Sequence, residues 1–515
     1  MNKLRYNILA NYVGQGWSAL MGLAFVPLYI HYLGMEAYGL IGLFAVMQAW
    51  LTLLDMGITP TLNREMARFS AGGHNLQSIR DLLRSLEVLC YGIAALIALA
   101  VWAASSYLAH DWLRAQKFPS GELAHAISIM GLVVAGRFVE GIYRGSLFGL
   151  QKQIWYNAIN MLMSTIRAVG TIAALALISP TIDTFFIWQG FCSLLTVIIL
   201  ATAVHRAIPP TEIPPKFSRE ALSGVSKFAG GMMGITILSL LLTQVDKVLL
   251  SRLLPLQTFG YYTLAASLAS MLYMVVSPIA TALYPRMVEF VTLEQRAGLV
   301  SIYHSGSQLV TIFVAPTAAL LCFFPGGIMY LWTGNMSYAI NTSQILVPLV
   351  IGSALNAAMW IPYQCQLAHG WTTFAFKTNL LGVVVLVPAI FWVTPRYGAV
   401  GAACLWAGLN FIYVTVGMQF LHVQLLPSEK WRWYLRDLFL PLTGAVAVAL
   451  IAKQVEPAPY QNRLYWLAFL SIVGVLSLSA AILFADQIRR RVLQVIKITW
   501  RNGLRRGVSV KGTVQ

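Results

Sequence analysis

The sequence predicts an all-α polytopic membrane protein of about fourteen transmembrane helices, on the strength of its composition, its run lengths and the placement of its charges. Of 515 residues, 58% are hydrophobic and only 10% are Asp, Glu, Lys or Arg, against about 25% charge in a soluble globular chain. A soluble chain of this size lacks the polar skin to hide so much apolar surface, so the excess must face lipid. Uncharged runs long enough to cross about 30 Å of hydrocarbon follow one another along the chain. The net charge of +17 sits between and after these runs, and no RNA- or DNA-binding signature accompanies it. It marks topology, and nucleic acid is not an expected partner.

Taken in order, the runs lie near 8–33, 38–61, 83–107, 122–147, 154–178, 183–204, 222–250, 257–283, 302–331, 340–367, 373–394, 398–421, 436–452 and 464–485. Lys3 and Arg5 precede the first, which lacks a small-residue cleavage site and is expected to be a retained span. The thirteenth, ending near Lys453, is the shortest. An even number puts both termini on one side of the membrane. With the N-terminus inside, the cytoplasmic segments carry Arg64, Arg68, Arg80, Arg84, Arg144, Lys152, Arg206, Lys216 and Arg219, and continue in this vein to Lys430, Arg432 and Arg436. The opposite side has only Arg114, Lys117, Arg252, Arg396, Lys453 and Arg463. That bias is what the positive-inside rule expects of cytoplasmic N- and C-termini. The basic tail at 488–515, interspersed with Val492, Leu493, Val495, Ile496, Ile498 and Trp500, fits either an amphipathic helix on the anionic leaflet or a frayed terminus.

Residues 37–69, AYGLIGLFAVMQAWLTLLDMGITPTLNREMARF, sit without a gap over 258–290, TFGYYTLAASLASMLYMVVSPIATALYPRMVEF. The offset of 221 residues pairs Gly39 with Gly260, Leu43 with Leu264, Leu62 with Leu283 and Met66 with Met287. Six spans separate the copies, so they share an orientation. A parallel repeat of this kind implies two six-helix halves related by an axis along the membrane normal, although apolar runs also match by chance. The expected organisation is an N-terminal lobe (1–204), a cytoplasmic linker (205–221), a C-terminal lobe (222–421), an additional helix pair (422–487) and the basic tail (488–515), with the lobes around a central cavity.

Polar side chains at membrane depth are costly and mark functional candidates. Arg137 lies near the middle of the fourth run, with Glu140 and Arg144 at +3 and +7 on one helical face. Arg167 lies near the middle of the fifth. Two guanidiniums against one carboxylate suit an anionic substrate such as a phosphate or pyrophosphate; the alternative is an ion pair with Glu140 that only holds two helices together. Asn11, Gln15 and Ser18 share one face of the first run, where ordinary interhelical hydrogen bonding is an equal explanation. Asp55 and Glu140 are candidates for coupling to a proton or sodium gradient, and Asp55 would otherwise partner a nearby arginine. Gln244, Asp246 and Lys247 lie toward the outer end of the seventh run, suited to lining the outer mouth or to pairing helices. Asn356, Trp360, Tyr363 and Gln364 cluster on the tenth run. Rings and amides there could hold a sugar, or anchor and pack the helix.

No phosphate-binding loop, HExxH or CxxC pair occurs, no loop is large enough to hold ATP, and no Ser/His/Asp or paired-acid set suggests an enzyme. No metal or other cofactor is implied. Cys90, Cys192, Cys322, Cys365 and Cys404 are scattered in apolar stretches, as small packing residues would be.

The stretches NYVGQGWSALMGLAFVPLYIHYLGMEAYGLIGLF (11–44), LLDMGITPTLNREMAR (53–68), LLTQVDKVLLSRLLPLQTFGYYTLA (241–265), PYQCQLAHGWT (362–372) and YGAVGAA (397–403) resemble the Wzx-type polysaccharide flippases. These belong with related polysaccharide biosynthesis proteins to the multidrug/oligosaccharidyl-lipid/polysaccharide exporter superfamily. The resemblance implies a carrier of the bacterial inner membrane that moves undecaprenyl-pyrophosphate-linked oligosaccharide between leaflets for O-antigen or other surface polysaccharide assembly. It implies alternating access, a cationic cavity at Arg137, Arg167 and Lys247, and membrane lipids, polysaccharide polymerase and glycosyltransferases as partners. Fourteen spans exceed the usual twelve and match the larger lipid II flippases in count. A lipid II flippase, a cation-coupled drug or metabolite exporter, and a non-transporting scaffold for polysaccharide assembly are the competing expectations.

Overall fold

A computed structural model describes residues 2–54, 58–70, 75–113, 115–116, 118–210, 213–219, 244–457 and 462–490. Asp55, most of the expected seventh span and the tail beyond 490 lie outside the described residues.

The first part of the chain forms α1 (Asn2–Ala24), α2 (Val26–Leu54), α3 (Ile58–Ser70), α4 (Leu76–Tyr107), α5 (Ser120–Gly149), α6 (Gln153–Leu177), α7 (Ile182–Ala207) and α8 (244–253). Then come α9 (Leu256–Ala269), α10 (Met271–Thr292), α11 (Arg296–Phe323), α12 (Pro325–Thr333), α13 (Met336–Ala358), α14 (Trp360–Ala368), α15 (Thr372–Ile412), α16 (Met418–Leu425), α17 (Lys430–Lys453) and α18 (Arg463–Phe484). Short polar side chains start several of them. Asn75 Oδ1 accepts from Ser78 N at 2.6 Å and Asn462 Oδ1 from Leu464 N at 3.0 Å. Asn335 Oδ1 accepts from both Ser337 N and Tyr338 N. Each cap satisfies backbone donors that a helix start leaves open.

The chain is a multi-pass membrane protein. Eleven helices among the described residues are long and apolar enough to cross a bilayer, against the fourteen expected. Three expected spans account for the difference. The first, running through α1 and ending at Gly34 (φ 83), is too polar to qualify alone. The seventh falls largely outside the described residues. The eleventh and twelfth form one continuous 53-residue segment, Thr373–Leu425, with its only non-helical residue at Gly398 (φ 59). Large side chains such as Leu96, Leu99 and Trp102 of α4 lie 60–66% exposed, as lipid-facing residues should.

The chain divides into two compact units, Met1–Thr263 with Asn379–Ala402, and Leu264–Thr378 with Ala403–Gln515. In the first, α5 packs against α3, α4 and α7 and buries Leu123, Ile127, Met130, Val134 and Ile142. Alongside it, α1 runs against α6 through a polar seam. Asn11 Nδ2 donates to Gln153 Oε1 (3.1 Å), Asn157 Nδ2 to Asn11 Oδ1 (2.6 Å), and Asn160 Nδ2 to Ser18 Oγ (2.8 Å). The polar face of the first span therefore pairs helices, as amides do in lipid.

The sequence repeat has a physical counterpart inside this unit. A Cβ on Gly39 would lie 2.3 Å from Leu256 O, and one on Gly260 would lie 2.4 Å from Met35 O. Met35 and Leu256 are related by the same offset of 221 as the two glycines. Repeat-equivalent positions thus meet reciprocally, with backbones too close for any side chain. Chance matching of apolar residues does not produce that reciprocity.

In the second unit α11 is central, packed by α10, α13, α17 and α18. Ala315, Ala319 and Phe324 form one core with Ala445, Ala449 and Ala452 of α17 and Trp466, Leu470 and Val473 of α18. Small residues at 445, 449 and 452 let the helices approach closely. At the other end of α11 lies a buried polar cluster. His304 faces Asp437 through Nδ1 and Glu429 through Nε2 (2.9 Å). Gln308 Nε2 donates to Asp437 Oδ1 (2.9 Å), while its Oε1 accepts from Gln487 N (3.0 Å). The last helix pair is an integral part of this unit, held by an apolar core toward one end and a polar cluster toward the other.

Candidate functional site

The site grows from one face of α5. Spacing of three and four residues stacks Arg137, Glu140, Gly141 and Arg144 along it. They line a cavity of about 240 Å3 with Gln48 of α2, Thr59 of α3, Tyr156 and Asn160 of α6, and Thr196 of α7. Gly141 leaves room there, since a Cβ would reach Thr59 Oγ1 at 3.0 Å.

The two arginines have different surroundings. Arg167 NH2 lies 3.8 Å from Glu140 Oε1, with both side chains under 20% exposed. Ser193 Oγ donates to the same carboxylate at 2.9 Å. Arg167 does not line the cavity. Arg137 lines it and makes no hydrogen bond or ion pair with the described residues, and its Nε is buried without an acceptor. Glu140 and Arg167 hold α5 and α6 together, so the helix-pairing alternative describes that pair. It does not describe Arg137. A buried Nε–H without an acceptor is unfavourable by about 1–3 kcal/mol, Glu140 beside it is engaged with Arg167 and Ser193, and an anion in the cavity would add the missing partner.

The other residues singled out in the sequence are dispersed. Lys247 Nζ reaches Gln244 Oε1 at 3.4 Å, and Tyr262 OH donates to Asp246 Oδ2 at 3.0 Å, which joins α8 to α9. Lys247 is not part of the Arg137 cavity. Asn356, Trp360, Tyr363 and Gln364 belong to the other unit, where the helix is interrupted at Met359 between α13 and α14. Asn356 Nδ2 donates to Asn410 Oδ1 at 2.8 Å and its Oδ1 accepts from Trp360 Nε1 at 3.4 Å. The Trp360 ring stacks on Tyr273 at 5.9 Å. Asn356 and Trp360 are thus engaged in packing, whereas Tyr363 is 41% exposed and Gln364 partly so.

Sequence reasoning missed Gln48, Thr59, Tyr156, Asn160, Ser193 and Thr196, which are uncharged and unremarkable singly. A signal existed on α6, where Gln153, Asn157, Asn160, Ser164 and Arg167 recur every three or four residues as a polar stripe. All five cysteines are free, as scattered packing residues would be, and among the described residues no group of His, Cys, Asp or Glu could hold a metal.

The family of polysaccharide biosynthesis proteins matches this sequence over residues 4–291, which run from α1 into α10 and include every residue of the cavity. The chain belongs to that family. One relative is a "Putative O-antigen transporter" of Shigella flexneri, 20% identical over 395 residues, covering 76% of this chain and 91% of the relative. Among solved structures, the lipid II flippase MurJ in an inward closed conformation superposes with a TM-score of 0.70 at 14% identity, covering 94% of this chain and all of that one. The Vibrio cholerae MATE transporter VcmN superposes at 0.56 and 16% identity, covering 84% and all of the respective chains. This family member therefore shares its fold with these flippase and transporter structures.

Proposed function

We propose that the protein is a flippase for undecaprenyl-pyrophosphate-linked oligosaccharide, working in the bacterial inner membrane with both termini cytoplasmic and serving O-antigen or other surface polysaccharide synthesis. The observation that carries this reading is Arg137: a guanidinium at mid-span, on a cavity wall, with a buried Nε and no acceptor for it among the described residues. A pyrophosphate offers planar oxygen pairs that accept bidentate bonds from arginine. Family membership and the resemblance to an O-antigen transporter support the polysaccharide side of the reading.

The size of the cavity defines what it would hold. At about 240 Å3 it is smaller than sites for drug-sized ligands, which begin at about 300 Å3. It suits the pyrophosphate alone, so the oligosaccharide and the polyprenyl chain would extend outside it. Arg137 would contact phosphate directly. Arg167, braced by Glu140 and Ser193, would add positive potential from behind the wall. Glu140 already serves that pair, which makes it a positioning residue in this scheme more than an ion-coupling acid. Coupling to a proton or sodium gradient, and any role for Asp55, are separate proposals. Sugar contacts would come from Tyr363 and Gln364 before Asn356 and Trp360, whose polar atoms are engaged. Lys247 is a weaker candidate than either arginine, because it is turned to Gln244. Alternating access would move the six-helix lobes expected at 1–204 and 222–421, with polymerase and glycosyltransferases supplying and consuming the cargo.

Reconstituted translocation of lipid-linked oligosaccharide tests the reading. Wild-type vesicles should expose the cargo to an external glycan-modifying probe. Arg137→Ala should abolish that exposure, and Arg167→Ala should slow it. Normal flipping by both folded variants would refute the cationic-cavity mechanism, and an inactive wild type would favour a scaffold.

A further inference from the structure

A second basic cavity, at the opposite side of α4 from lipid, is unrelated to the Arg137 site and shares none of its lining residues. Its walls are Arg80, Leu83, Arg84 and Glu87 of α4, His205 and Ile208 at the end of α7, and Pro215 of the following segment, around about 150 Å3. Arg80, Arg84 and Glu87 follow one another at four and three residues, so they share a face.

The donors and acceptors of this cavity do not balance. Glu87, only 3% exposed, accepts from Tyr143 OH at 3.1 Å and meets His205 Nε2 at 2.9 Å, both through Oε1. Its Oε2 lies 3.6 Å from Arg84 NH1, an ion pair beyond hydrogen-bond length. The one carboxylate among the described lining residues is thus largely committed. Arg80 spends a single long bond, NH2 to Ile208 O at 3.4 Å, and its Nε is buried with no acceptor. Arg84 is half exposed. Among the described residues, two guanidiniums therefore line a space that offers few free acceptors, with Arg84 held only loosely by Glu87.

The wall formed by the linker is pinned, which distinguishes this cavity from a loose basic surface. Lys216 N donates to Asp81 Oδ1 at 2.8 Å, and Ser218 N donates to Ser85 Oγ at 2.8 Å. Gln77 Nε2 donates to the same Asp81 oxygen at 2.9 Å, and among the described residues the one bond that Arg80 makes goes to Ile208 O. Segment 213–219 is held along α4 by its backbone, and its Lys216 side chain stays exposed beside the cavity.

We infer that this cavity is a phosphate-binding site, formed by Arg80 and Arg84 against the pinned linker, for a phosphate monoester or diester. The ligand chemistry is a tetrahedral oxyanion taking bonds from the Arg80 guanidinium on the cavity wall and the half-exposed Arg84 guanidinium. The basic bias of the loops assigns this end of α4 and α7 to the cytoplasm, where acidic lipid headgroups and free phosphate are both at hand. A lipid phosphate there would tie the linker to the leaflet surface. The site does not depend on what the Arg137 cavity carries, and its test measures binding in place of transport.

The full-length protein in phosphatidylcholine mixed micelles would be titrated with short-chain phosphatidylglycerol, and separately with inorganic phosphate, following thermal stability and native mass. Saturable binding is expected, and Arg80→Gln/Arg84→Gln should weaken it about tenfold or more. Arg206→Gln, at the same end but outside the cavity, should leave it unchanged. Response to the lipid alone identifies a headgroup site; response to both identifies a general phosphate site. If the double variant does not fold, Arg84→Gln, at a half-exposed position, replaces it with the same expected direction. Binding that is non-saturable, that survives loss of Arg84, or that falls equally in Arg206→Gln overturns the proposal.

Discussion

Helices α4 and α11 begin at matching places in the repeat, yet one is a surface helix and the other a core helix. Only 22% of the α4 span is buried, against 67% for α11. The difference is α17 and α18, which pack on α11 and lie outside the repeat. Side-chain chemistry has followed the burial. Carried on at the offset of 221, Glu87 falls on Gln308, and both are buried polar residues. Leu83 falls on His304. A histidine buried at that place would be costly without polar partners, and it is accommodated because α17 brings Asp437 and the preceding loop brings Glu429. His422 fits the same pattern: Nδ1 donates to Met418 O at 2.8 Å, which leaves Nε2 to accept from Tyr303 OH at 3.0 Å. The helix pair that first reads as an additional element supplies partners for the polar residues of α11.

Breaking that partnership should give the largest stability loss. Asp437→Leu removes a fully buried partner from His304 and Gln308, and should cost about 3–5 kcal/mol, read as a lowered unfolding midpoint in detergent. His304→Leu combined with Asp437→Leu should recover most of that loss, since apolar replacement of both members of a buried pair is often neutral. A double variant no better than the single one would mean that the cluster does not act as a pair.

The symmetric part of the repeat offers a sharper comparison. Gly39→Val and Gly260→Val each push a side chain into a backbone carbonyl, an overpacking that costs about 1–3 kcal/mol or more. Reciprocal geometry predicts losses of similar size, and a large inequality would show that the two contacts are not equivalent. On α4, Glu87→Gln should cost about 1–3 kcal/mol by weakening the bonds from Tyr143 and His205. The smallest effect belongs to the lipid face: Leu99→Ala should stay within about 0.5 kcal/mol, whereas Leu321→Ala in the buried part of α11 should lose about 2–5 kcal/mol. Equal losses at 99 and 321 would dissolve the contrast.

Much of the fold was legible because a bilayer simplifies the problem: run length and charge position are direct consequences of its thickness and surface potential. The break at Gly34 falls where the first run was expected to end, and the repeat offset led to the Gly39–Gly260 contact. The continuity through Gly398 was not legible, because a glycine inside an apolar run marks a loop and a bend equally well. Of the site, Arg137 stood out because an arginine at mid-span is rare. Its neighbours Thr59, Asn160 and Thr196 did not, since single hydroxyls and amides commonly bond on their own helix, as Thr196 does, or pair with a neighbouring one, as Asn160 does. The pairing of Arg167 with Glu140 required knowing which face α6 turns to α5. The His304 cluster joins residues 133 positions apart, a distance over which no local pattern operates.

The unpaired Arg137 is the centre of the functional account, and equilibrium binding tests it most directly. Purified protein would be titrated with polyprenyl pyrophosphate and with the uncharged polyprenol, for wild type and Arg137→Gln. The account predicts selective binding of the pyrophosphate by wild type and an affinity about tenfold or more weaker in Arg137→Gln, with polyprenol indifferent to the substitution. Equal affinity of both proteins for the pyrophosphate would contradict it.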